Sequence, residues 1–426
     1  MRERGGLWRD RDYLRFWTAH TVSQVGTQIT QLALPLVAID VLHASTFEVA
    51  LLTFVDFLPW LVVSLPAGVW IDRLRRRPVL IAADIGRAVA LAWVPAGAAL
   101  GSLTVWQLYA VGFLVGCGTV FFDVAYQSYV PSLVGRDRLI EANSKLELSR
   151  SAAQLGGPAA GGGLVVALTA PYAILADAVS YVVSALLLGA IRREEHEPEP
   201  ATTRVRSELL SGLRLVLGDP RTRSLVFYVA TSTFSNGLFW AIFLLFARRE
   251  LHLSAGLIGL VLALSNIGSL LGATIAGPLG RRLGIGRTLV AAGLVSGPPL
   301  FLVPLAPHAF PVPFLTAGLL VFGLGVIVYN ITAISLIQSI TPPHLLGRAN
   351  ASRRFLVWGP LPLGALAGGV FGSSIGLRET LLAAAAIDAA AVVWLLREPL
   401  RTIGELPQPE PLTPPPVEPV LGVTLE

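Results

Sequence analysis

Apolar runs of about 20 residues recur along most of the chain, separated by short stretches rich in Gly, Pro and charged residues. A helix of roughly that length crosses the hydrocarbon core of a bilayer, which is about 30 Å thick. The pattern therefore predicts an all-α membrane protein with twelve transmembrane helices. Their predicted bounds are 14–41, 47–68, 78–101, 104–128, 142–168, 171–191, 224–247, 255–279, 288–306, 312–339, 351–374 and 378–396.

The composition supports a membrane protein. Of the 426 residues, 54% are hydrophobic and 14% are charged, with a mean hydropathy of +0.67, whereas about a quarter of the residues of a soluble domain are charged. We therefore expect the lipid bilayer as a partner, no nucleic-acid partner despite the net charge of +5, and a monomer. Cys117 is the single cysteine, so the sequence excludes an intrachain disulfide.

Three polar segments divide the chain into domains. Residues 1–13 form an arginine-rich N-terminus, 192–223 is the longest polar stretch between apolar runs, and 399–426 is a proline-rich tail that we predict to be disordered. Two six-helix bundles, 14–191 and 224–398, lie between these segments. The 192–223 stretch is the predicted central loop.

The arginines predict the orientation. If both chain ends are cytoplasmic, all but four of the 32 Lys and Arg residues lie on the cytoplasmic side. The exceptions are Arg87 inside the third helix and Arg248, Arg249 and Arg378 in outer loops. This asymmetry is a positive-inside signal. It predicts a multi-pass protein of the cytoplasmic (inner) membrane, with both termini and the central loop inside the cell.

The chain also repeats itself weakly, at an offset near 209 residues. The matching positions are Gly68 with Gly277, Asn143 with Asn350, and Asp177 with Asp388. Several matches at nearly one offset predict two pseudo-symmetric six-helix halves, an arrangement that is known among transporters.

The stretch GVWIDRLRRRP, residues 68–78, concentrates charge in a short turn between the second and third helices. Asp72 can accept hydrogen bonds from backbone N–H groups at a helix N-terminus or pair with an arginine. If its partner belongs to the other half, this turn is a latch that stabilises one conformation. Alternatively, the arginines of the turn only anchor lipid phosphates and set the topology.

The charged turn resembles the signature loop of the major facilitator superfamily. The matching residues are Gly68, Asp72, Arg73, Arg76 and Arg77. The resemblance extends over roughly residues 10–400 and implies a transporter fold with the conformational latch described above. The second copy, 277–287, has Arg281 where the equivalent of Asp72 would stand, which implies that the latch is one-sided.

A second motif, GPAAGG in the fifth helix, is similar to one associated with antiporters of this superfamily. It comprises Gly157, Pro158, Gly161 and Gly162. Proline removes a helical hydrogen bond and glycine allows close helix approach, so we expect a tight seam between the halves. Ordinary small-residue packing is the alternative. SQVGT in the first helix and ADIGRA at 83–88 further resemble drug and siderophore exporters called transmembrane secretion effectors.

Polar side chains follow one face of the first helix and one face of the fourth, at spacings of three or four residues. They are His20, Gln24, Gln28 and Gln31 in the first helix and Thr119, Asp123 and Gln127 in the fourth. The resemblance implies that helices one, four, seven and ten line the cavity. The corresponding candidates in the second half are Ser232, Ser235, Asn236, Trp240, Tyr329 and Asn330, although any single aromatic among them can equally serve packing.

Carboxylates inside a membrane are costly and often functional. Asp56 and Asp123 are the proton-coupling candidates. The alternatives are a water-exposed polar group for Asp56 and an ion pair with a cytoplasmic arginine for Asp123. The other carboxylates have structural interpretations.

Four further carboxylates are expected to have structural roles. Asp84 is expected to pair with Arg87, at i and i+3. Asp177 and Asp388 are assigned to helices expected to be peripheral, and Asp40 is expected at the membrane interface.

The sequence thus favours a secondary active transporter that exports a small, largely hydrophobic molecule such as a drug, siderophore or natural product. We expect no cofactor and no metal, and a proton gradient as the energy source, because the sequence contains no G-x-x-x-x-G-K-[ST] motif. Two alternatives stay open. One is a facilitator or importer of a sugar or metabolite, and the other, from a different class, is an intramembrane enzyme or a receptor.

Overall fold

The computed structural model describes residues 6–71, 73–193, 195, 217–340, 356–398 and 400–404. Within these residues the chain forms helices and turns and no strand. The first half contains α1 (Arg11–Leu36), α2 (Thr46–Val62), α3 (Ser64–Ile71), α4 (Arg76–Ala99), α5 (Val105–Val134), α6 (Leu139–Leu168) and α7 (Ala170–Gly189).

The second half contains α8 (Pro220–Leu245), α9 (Ala255–Leu283), α10 (Ile285–Ser296), α11 (Pro311–Ile340), α12 (Pro360–Ser374) and α13 (Leu377–Ala391). These helices form twelve crossing segments, because α3 continues the path of α2. Within the described residues, nine helices are long and apolar enough to cross a membrane by themselves. The prediction of an all-α, twelve-helix membrane protein is confirmed.

Prolines explain where the helix bounds differ from the predicted ones. The predicted helix 47–68 is interrupted at Val63, three residues before Pro66, which has no N–H to donate to the preceding turn. The predicted helix 288–306 begins earlier, at Ile285, and its α-helical part ends at Ser296. The chain continues there as a 3-10 turn that begins at Pro298.

The two halves repeat each other at backbone level. Both α1 and α8 end in a five-residue π turn, Val37–Val41 and Phe246–Glu250. The N–H of Leu42 donates to the Val37 carbonyl over 3.1 Å, and the N–H of Leu251 donates to the Phe246 carbonyl over the same distance. Each pair of positions is separated by 209 residues, the offset found in the sequence.

The equivalence extends to α4 and α10, which occupy corresponding places. A Cβ on Gly118 of α5 would meet the Arg87 side chain of α4, and a Cβ on Gly325 of α11 would meet Ser296 of α10. Ser296 therefore stands where Arg87 stands in the first half. Of the three sequence matches, Asp177 and Asp388 are described and both are buried, whereas Asn350 lies outside the described residues.

The hydrophobic core shows how the halves meet. We call the side where the chain begins and ends the terminal face, and the side of the 41–45 and 250–254 loops the opposite face. Near the opposite face, one core combines residues of both halves, for example Leu36 and Ile242. Nearer the terminal face there are two cores, and each draws its residues from one half only. The halves are thus joined near the opposite face.

Candidate transport cavity

A cavity of about 510 Å³ lies between the two halves. Helices α1, α2, α5, α6 and α7 form one wall, and α8, α9 and α11 form the other. Pockets of this size hold drug-sized molecules. The position of the cavity between two pseudo-symmetric bundles is that of a midplane transport site.

The wall from the first half carries both carboxylates and most of the hydrogen-bonding groups of the cavity, beside apolar residues such as Leu52 and Phe57. Among the lining residues that the structure describes, it carries two carboxylates and no Lys or Arg. Its polar members are Thr27, Gln28, Thr30, Gln31, Thr53, Asp56, Thr119, Asp177 and Tyr181. This wall can accept hydrogen bonds from a cargo and can hold or release a proton.

The wall from the second half is mostly apolar. Its aromatic and aliphatic members are Trp240, Leu244, Leu262, Leu319, Phe322 and Val326. In the described part of this wall the polar groups come from α9, namely Ser265, Asn266 and Ser269. Trp60 of the first half also lines the cavity and stacks on Trp358, with 6.4 Å between the ring centroids. The cavity therefore offers apolar and aromatic surface opposite hydrogen-bonding groups.

A buried charged cluster lies behind the polar wall. Asp84 and Arg87 of α4 pair as predicted, with Arg87 Nη2 donating to Asp84 Oδ1. The Arg87 guanidinium is held between two rings, 4.6 Å from the centroid of Phe122 and 4.0 Å from that of Tyr181. Its charge also interacts with Asp177. The cluster thus contains two carboxylates and one cation, all almost completely buried.

Asp177 connects this cluster to the cavity. Its carboxylate accepts a hydrogen bond from Ser180 Oγ over 2.9 Å and lines the cavity. Gly26 of α1 permits this position, because a Cβ there would collide with Asp177 and Ser180. The expectation that Asp177 sits on a peripheral helix away from the pathway is therefore wrong. The close approach of α7 to α1, which the sequence did not reveal, is the physical reason.

Of the cavity-lining and proton-coupling candidates, five line the cavity together, namely Gln28, Gln31, Asp56, Thr119 and Trp240. Asp56 reaches the cavity from α2, and Gly116 of α5 lets that helix approach the Asp56 backbone closely. The helical face predicted for α1 is thus correct for two of its four polar residues.

The other cavity-lining candidates do not line this cavity, and several have local partners instead. The His20 ring stacks on Tyr126 with 4.6 Å between the ring centroids. Ser235 Oγ donates to the Ala384 carbonyl over 2.6 Å, and the Tyr329 hydroxyl donates to the Leu225 carbonyl over 3.1 Å. These side chains are buried within their own halves.

The remaining candidates also lie off the cavity wall. Ser232 Oγ donates to Asp388 Oδ1 over 2.5 Å, and Asn236 Nδ2 donates to the Ser232 carbonyl over 2.8 Å. Asn330 is exposed. Gln24, Asp123 and Gln127 are partly buried or exposed positions outside the lining set. For all of these residues, the sequence spacing predicted which face of the helix they occupy but not whether they lie at the level of the cavity.

The charged turn is described only in part. Asp72, the centre of the predicted latch, lies outside the described residues, Gly68 belongs to α3, and Arg73 is exposed. The backbone N–H groups of Arg76 and Arg77 donate to the two carboxylate oxygens of Glu195, over 2.6 and 3.1 Å.

The side chains of Arg76 and Arg77 contact residues of the first half. Arg76 Nη1 lies 3.6 Å from Glu195 Oε1, and Arg77 Nε donates to the Leu188 carbonyl at the end of α7 over 2.8 Å. These contacts fix the start of α4 against the end of α7. The latch between halves stays a prediction.

The GPAAGG motif of α6 lies between two helices. Toward α1, a Cβ on Gly157 would meet Gln28 and one on Gly161 would meet the Ile29 backbone. Toward α9, a Cβ on Gly162 would lie 2.6 Å from the Ala255 carbonyl oxygen. Pro158 lines the cavity, and its carbonyl oxygen lies against Gly259 of α9. The motif thus forms a close backbone contact between the halves.

Polar contacts join the halves at the opposite face as well. Arg248 Nε donates to both carboxylate oxygens of Asp40, over 2.8 and 3.1 Å, and Arg249 Nη2 donates to the Ala44 carbonyl over 2.6 Å. Asp40 thus has its partner in the other half, and its position at the membrane interface stays a prediction.

Sequence reasoning missed the contributions of α9 and α7 to the cavity. Ser265 and Ser269 share a face of α9 and interrupt an apolar run, with Asn266 beside them. The Asn266 amide donates to the Gln154 carbonyl of α6 over 2.6 Å, across the boundary between the halves. The i, i+4 spacing of the two serines was the available signal.

Two helical bundles joined on one side, with a cavity between them, define a membrane transporter of the major facilitator type. A family model described as transmembrane secretion effector matches residues 8–422. The chain therefore belongs to the transmembrane secretion effector family of the major facilitator superfamily. It is a multi-pass protein of the cytoplasmic membrane, and it is a transporter rather than an enzyme.

Two relatives of the chain are efflux proteins. The chain is 28% identical over 374 residues to the multidrug efflux pump Tap of Mycolicibacterium fortuitum, which covers 84% of this chain and 88% of that protein. It is 23% identical over 416 residues to macrolide efflux protein A of Streptococcus pyogenes, which covers 94% and 99%. The resemblance to the drug-exporting branch is thereby confirmed.

The fold also matches solved transporters. A crystal structure of a bacterial homologue of the iron transporter ferroportin, in an inward-facing state, aligns with a TM-score of 0.73 at 19% identity. The alignment covers 91% of this chain and all of that chain. At this identity the likeness establishes the fold.

Proposed function

We propose that this transporter exports a small, largely hydrophobic molecule, such as a drug or natural product, from the cytoplasm by alternating access and proton antiport. The observation that carries the proposal is the composition of the cavity. One wall offers aromatic and aliphatic surface, and the facing wall offers amides, hydroxyls and two carboxylates. A largely apolar cargo with a few polar groups fits such a site.

The orientation that the arginines favour supports access to the cavity from the cytoplasm. With the terminal face in the cytoplasm, the positive-inside rule is satisfied. The shared core and the Asp40–Arg248 ion pair then lie toward the outside. The present conformation would accept cargo from the cytoplasm, and rocking of the halves would release it outside.

Proton antiport is supported by the carboxylates of the cavity wall. Asp56 and Asp177 both line the cavity, and a carboxylate in such a position is costly unless it is protonated or paired. A site of this kind can bind a proton when cargo is absent and release it when cargo enters. The named functions of Tap and macrolide efflux protein A make efflux the expected direction.

The proposal can be tested in everted membrane vesicles with ethidium and erythromycin as probes. Because the vesicle interior corresponds to the outside of the cell, an interior-acid gradient should drive accumulation of at least one probe. Trp240→Ala should weaken this accumulation, since it removes aromatic surface from the cavity. Trp106→Ala is the matched control, because Trp106 is 77% exposed at the start of α5 and does not line the cavity.

Two results would contradict the proposal. One is that an imposed pH gradient drives accumulation of neither probe relative to vesicles without the protein. The other is accumulation in right-side-out vesicles driven by an exterior-acid gradient, which would indicate an importer.

A further inference from the structure

We propose that Asp177, poised by Arg87, is the proton-binding residue that couples transport to the pH gradient. This inference rests on the proposed antiport and names its site. The inference is based on a buried cluster of three charged residues, Asp84, Arg87 and Asp177. Of these three, only Asp177 lines the cavity.

The cluster has one negative charge too many when both carboxylates are ionised. Arg87 is committed to Asp84 by a direct hydrogen bond and is held in place by the rings of Phe122 and Tyr181. Asp84 and Asp177 are both 0% exposed. A net charge buried in a low dielectric is costly. Binding one proton removes that charge, and Asp177 is the carboxylate of the two that lies at the cavity wall.

The hydrogen bonds of Asp177 leave room for the proton. Oδ1 accepts from Ser180 Oγ over 2.9 Å, whereas Oδ2 has no hydrogen-bond partner of good geometry among the described residues. The Thr30 hydroxyl lies beside this carboxylate and interacts with it, but the two do not form a hydrogen bond of good geometry. A buried carboxylate oxygen that is only weakly bonded suits a group that is a carboxylic acid for part of the cycle.

Arg87 allows Asp177 to release its proton again. A carboxylic acid without a nearby cation in the membrane interior tends to keep its proton. The charged and titratable groups that face Asp177 are Asp84 and Arg87 of α4 and Tyr181 of α7. On α1, the neighbouring groups are the hydroxyls of Thr27 and Thr30. Of these, Arg87 is the cation that stabilises the ionised form.

Asp56 lacks this arrangement. It also lines the cavity, but the described residues that line the cavity with it include no Lys or Arg, and it forms no ion pair with a described cation. Asp388, the counterpart of Asp177, accepts from Ser232 and lies off the cavity wall. Of the three intramembrane carboxylates compared, Asp177 alone both lines the cavity and has a cation nearby.

The proton balance of the step is simple. With the cavity open to the outside, Asp177 Oδ2 takes one proton from water, and the cluster becomes neutral. With the cavity open to the cytoplasm, cargo enters and the proton passes to water on that side. The ionised carboxylate is then stabilised by Arg87 and by the Ser180 hydroxyl.

Transport measurements provide the first test. In everted vesicles with ethidium, Asp177→Asn should abolish accumulation driven by the pH gradient while preserving downhill equilibration of the dye. Asp388→Asn, which changes the pseudo-symmetric carboxylate, should retain both activities. If Asp177→Asn keeps gradient-driven accumulation while Asp56→Asn abolishes it, Asp177 is not the coupling residue, although the antiport proposal stands. If wild-type protein shows no gradient dependence, both proposals fail.

A second measurement does not depend on cargo. Infrared difference spectra of purified protein recorded across pH should contain a carboxylic-acid carbonyl band that titrates. Asp177→Asn should remove that band and Asp388→Asn should leave it, with thermal unfolding confirming that both variants are folded. If the titrating bands of Asp177→Asn are the same as those of the wild type, the inference is overturned even if transport is lost.

Discussion

The two halves share a backbone plan but differ in what they bury. In the first half, Arg87 lies between Asp84 and Asp177 behind the polar wall of the cavity. At the place equivalent to Arg87, the second half has Ser296, whose hydroxyl lies 3.1 Å from the Tyr228 hydroxyl. Buried charge in one half thus corresponds to a neutral hydroxyl pair in the other.

This difference assigns proton binding to the first half and most of the apolar cargo contact to the second half. The first half presents carboxylates and amides to the cavity, and the second presents mainly aromatic and aliphatic side chains. A proton site needs a low-dielectric carboxylate with a counter-ion, whereas an apolar cargo needs desolvated surface. Because the proton site and the apolar cargo surface lie on opposite walls of one cavity, binding of the cargo can affect binding of the proton.

The largest effect on stability should come from removing the buried cation. Arg87→Gln leaves two carboxylates without a counter-ion, and loss of one partner of a buried ion pair costs about 3–5 kcal/mol. Thermal unfolding in detergent should show a clear fall in Tm. Ser296→Ala, at the equivalent place, should cost about 1 kcal/mol, as expected for a neutral hydrogen bond.

The double variant Asp84→Asn/Arg87→Gln is the control for charge imbalance. It should be more stable than Arg87→Gln alone, because one unpaired carboxylate is neutralised. If Arg87→Gln and Ser296→Ala unfold at the same temperature, the buried ion pair of the first half contributes no more stability than the neutral hydrogen bond of the second.

The seams between the halves give the next largest effect. In Gly162→Ala the new methyl would lie 2.6 Å from the Ala255 carbonyl oxygen, and such overpacking costs about 1–3 kcal/mol. Gradient-driven ethidium transport should fall strongly. Gly163→Ala, one residue later on the same helix, has no atom within 4 Å of the added carbon and should behave as wild type.

The second seam is formed by α12 against α2, and it should be about as intolerant. A Cβ on Gly369 would lie 2.8 Å from the Ala50 Cβ, which cannot move without its backbone. Gly369→Ala should therefore impair transport about as much as Gly162→Ala. Transport at the wild-type rate in Gly369→Ala would show that only the first seam limits transport.

A smaller effect is expected at the opposite face, where Asp40 pairs with Arg248 across the halves. Both side chains are about one-third exposed, so the pair contributes roughly 1 kcal/mol or less. Arg248→Gln should shift the population toward the outward-open state by up to about fivefold. Ser265→Cys in a Cys117→Ser background would report this as faster labelling by an impermeant maleimide applied to cells.

Arg378→Gln is the matched control for that shift. Arg378 Nε lies 3.6 Å from Glu250 Oε2, with similar exposure, but both residues belong to the second half. Its removal should leave the labelling rate unchanged. Comparable acceleration in both variants would mean that the Asp40–Arg248 pair does not act between the halves.

The fold was largely predictable from the sequence because it depends on local quantities. Apolar run lengths predicted the twelve segments, and the 209-residue offset identified equivalent positions. The pairing of Asp84 with Arg87 followed from i, i+3 spacing. Each of these depends on a single helix or on chain order.

The site was only half predictable because it depends on how helices approach one another. Gln28 and Gln31 line the cavity, while His20, on the same face of α1, is buried against Tyr126 nearer the terminal face. Spacing fixed the face of the helix but not the depth. Asp177 was missed because only the contact at Gly26 brings α7 to the cavity wall.

The smallest expected difference lies at the starts of α2 and α9, where Ser45 and Ser254 occupy equivalent places 209 residues apart. Both hydroxyls accept a hydrogen bond from the backbone three residues later, over 3.3 Å. Only Ser45 is part of a capping box, in which Glu48 accepts from the Ser45 N–H over 2.7 Å and from its hydroxyl over 2.8 Å. Leu257 stands in the place of Glu48 and cannot do so.

Replacing either serine by alanine removes a cap worth about 1 kcal/mol, but Ser45→Ala also takes away a donor to Glu48. Hydrogen exchange of the first turn of each helix should therefore accelerate in both variants, and more in Ser45→Ala than in Ser254→Ala. In Glu48→Gln, hydrogen exchange in the first turn of α2 should be faster than in the wild type but slower than in Ser45→Ala. The glutamine retains an acceptor for the Ser45 N–H but loses the negative charge near the helix N-terminus. Equal acceleration in the two serine variants would show that the reciprocal bond to Glu48 adds nothing, and that the halves are equivalent at this point.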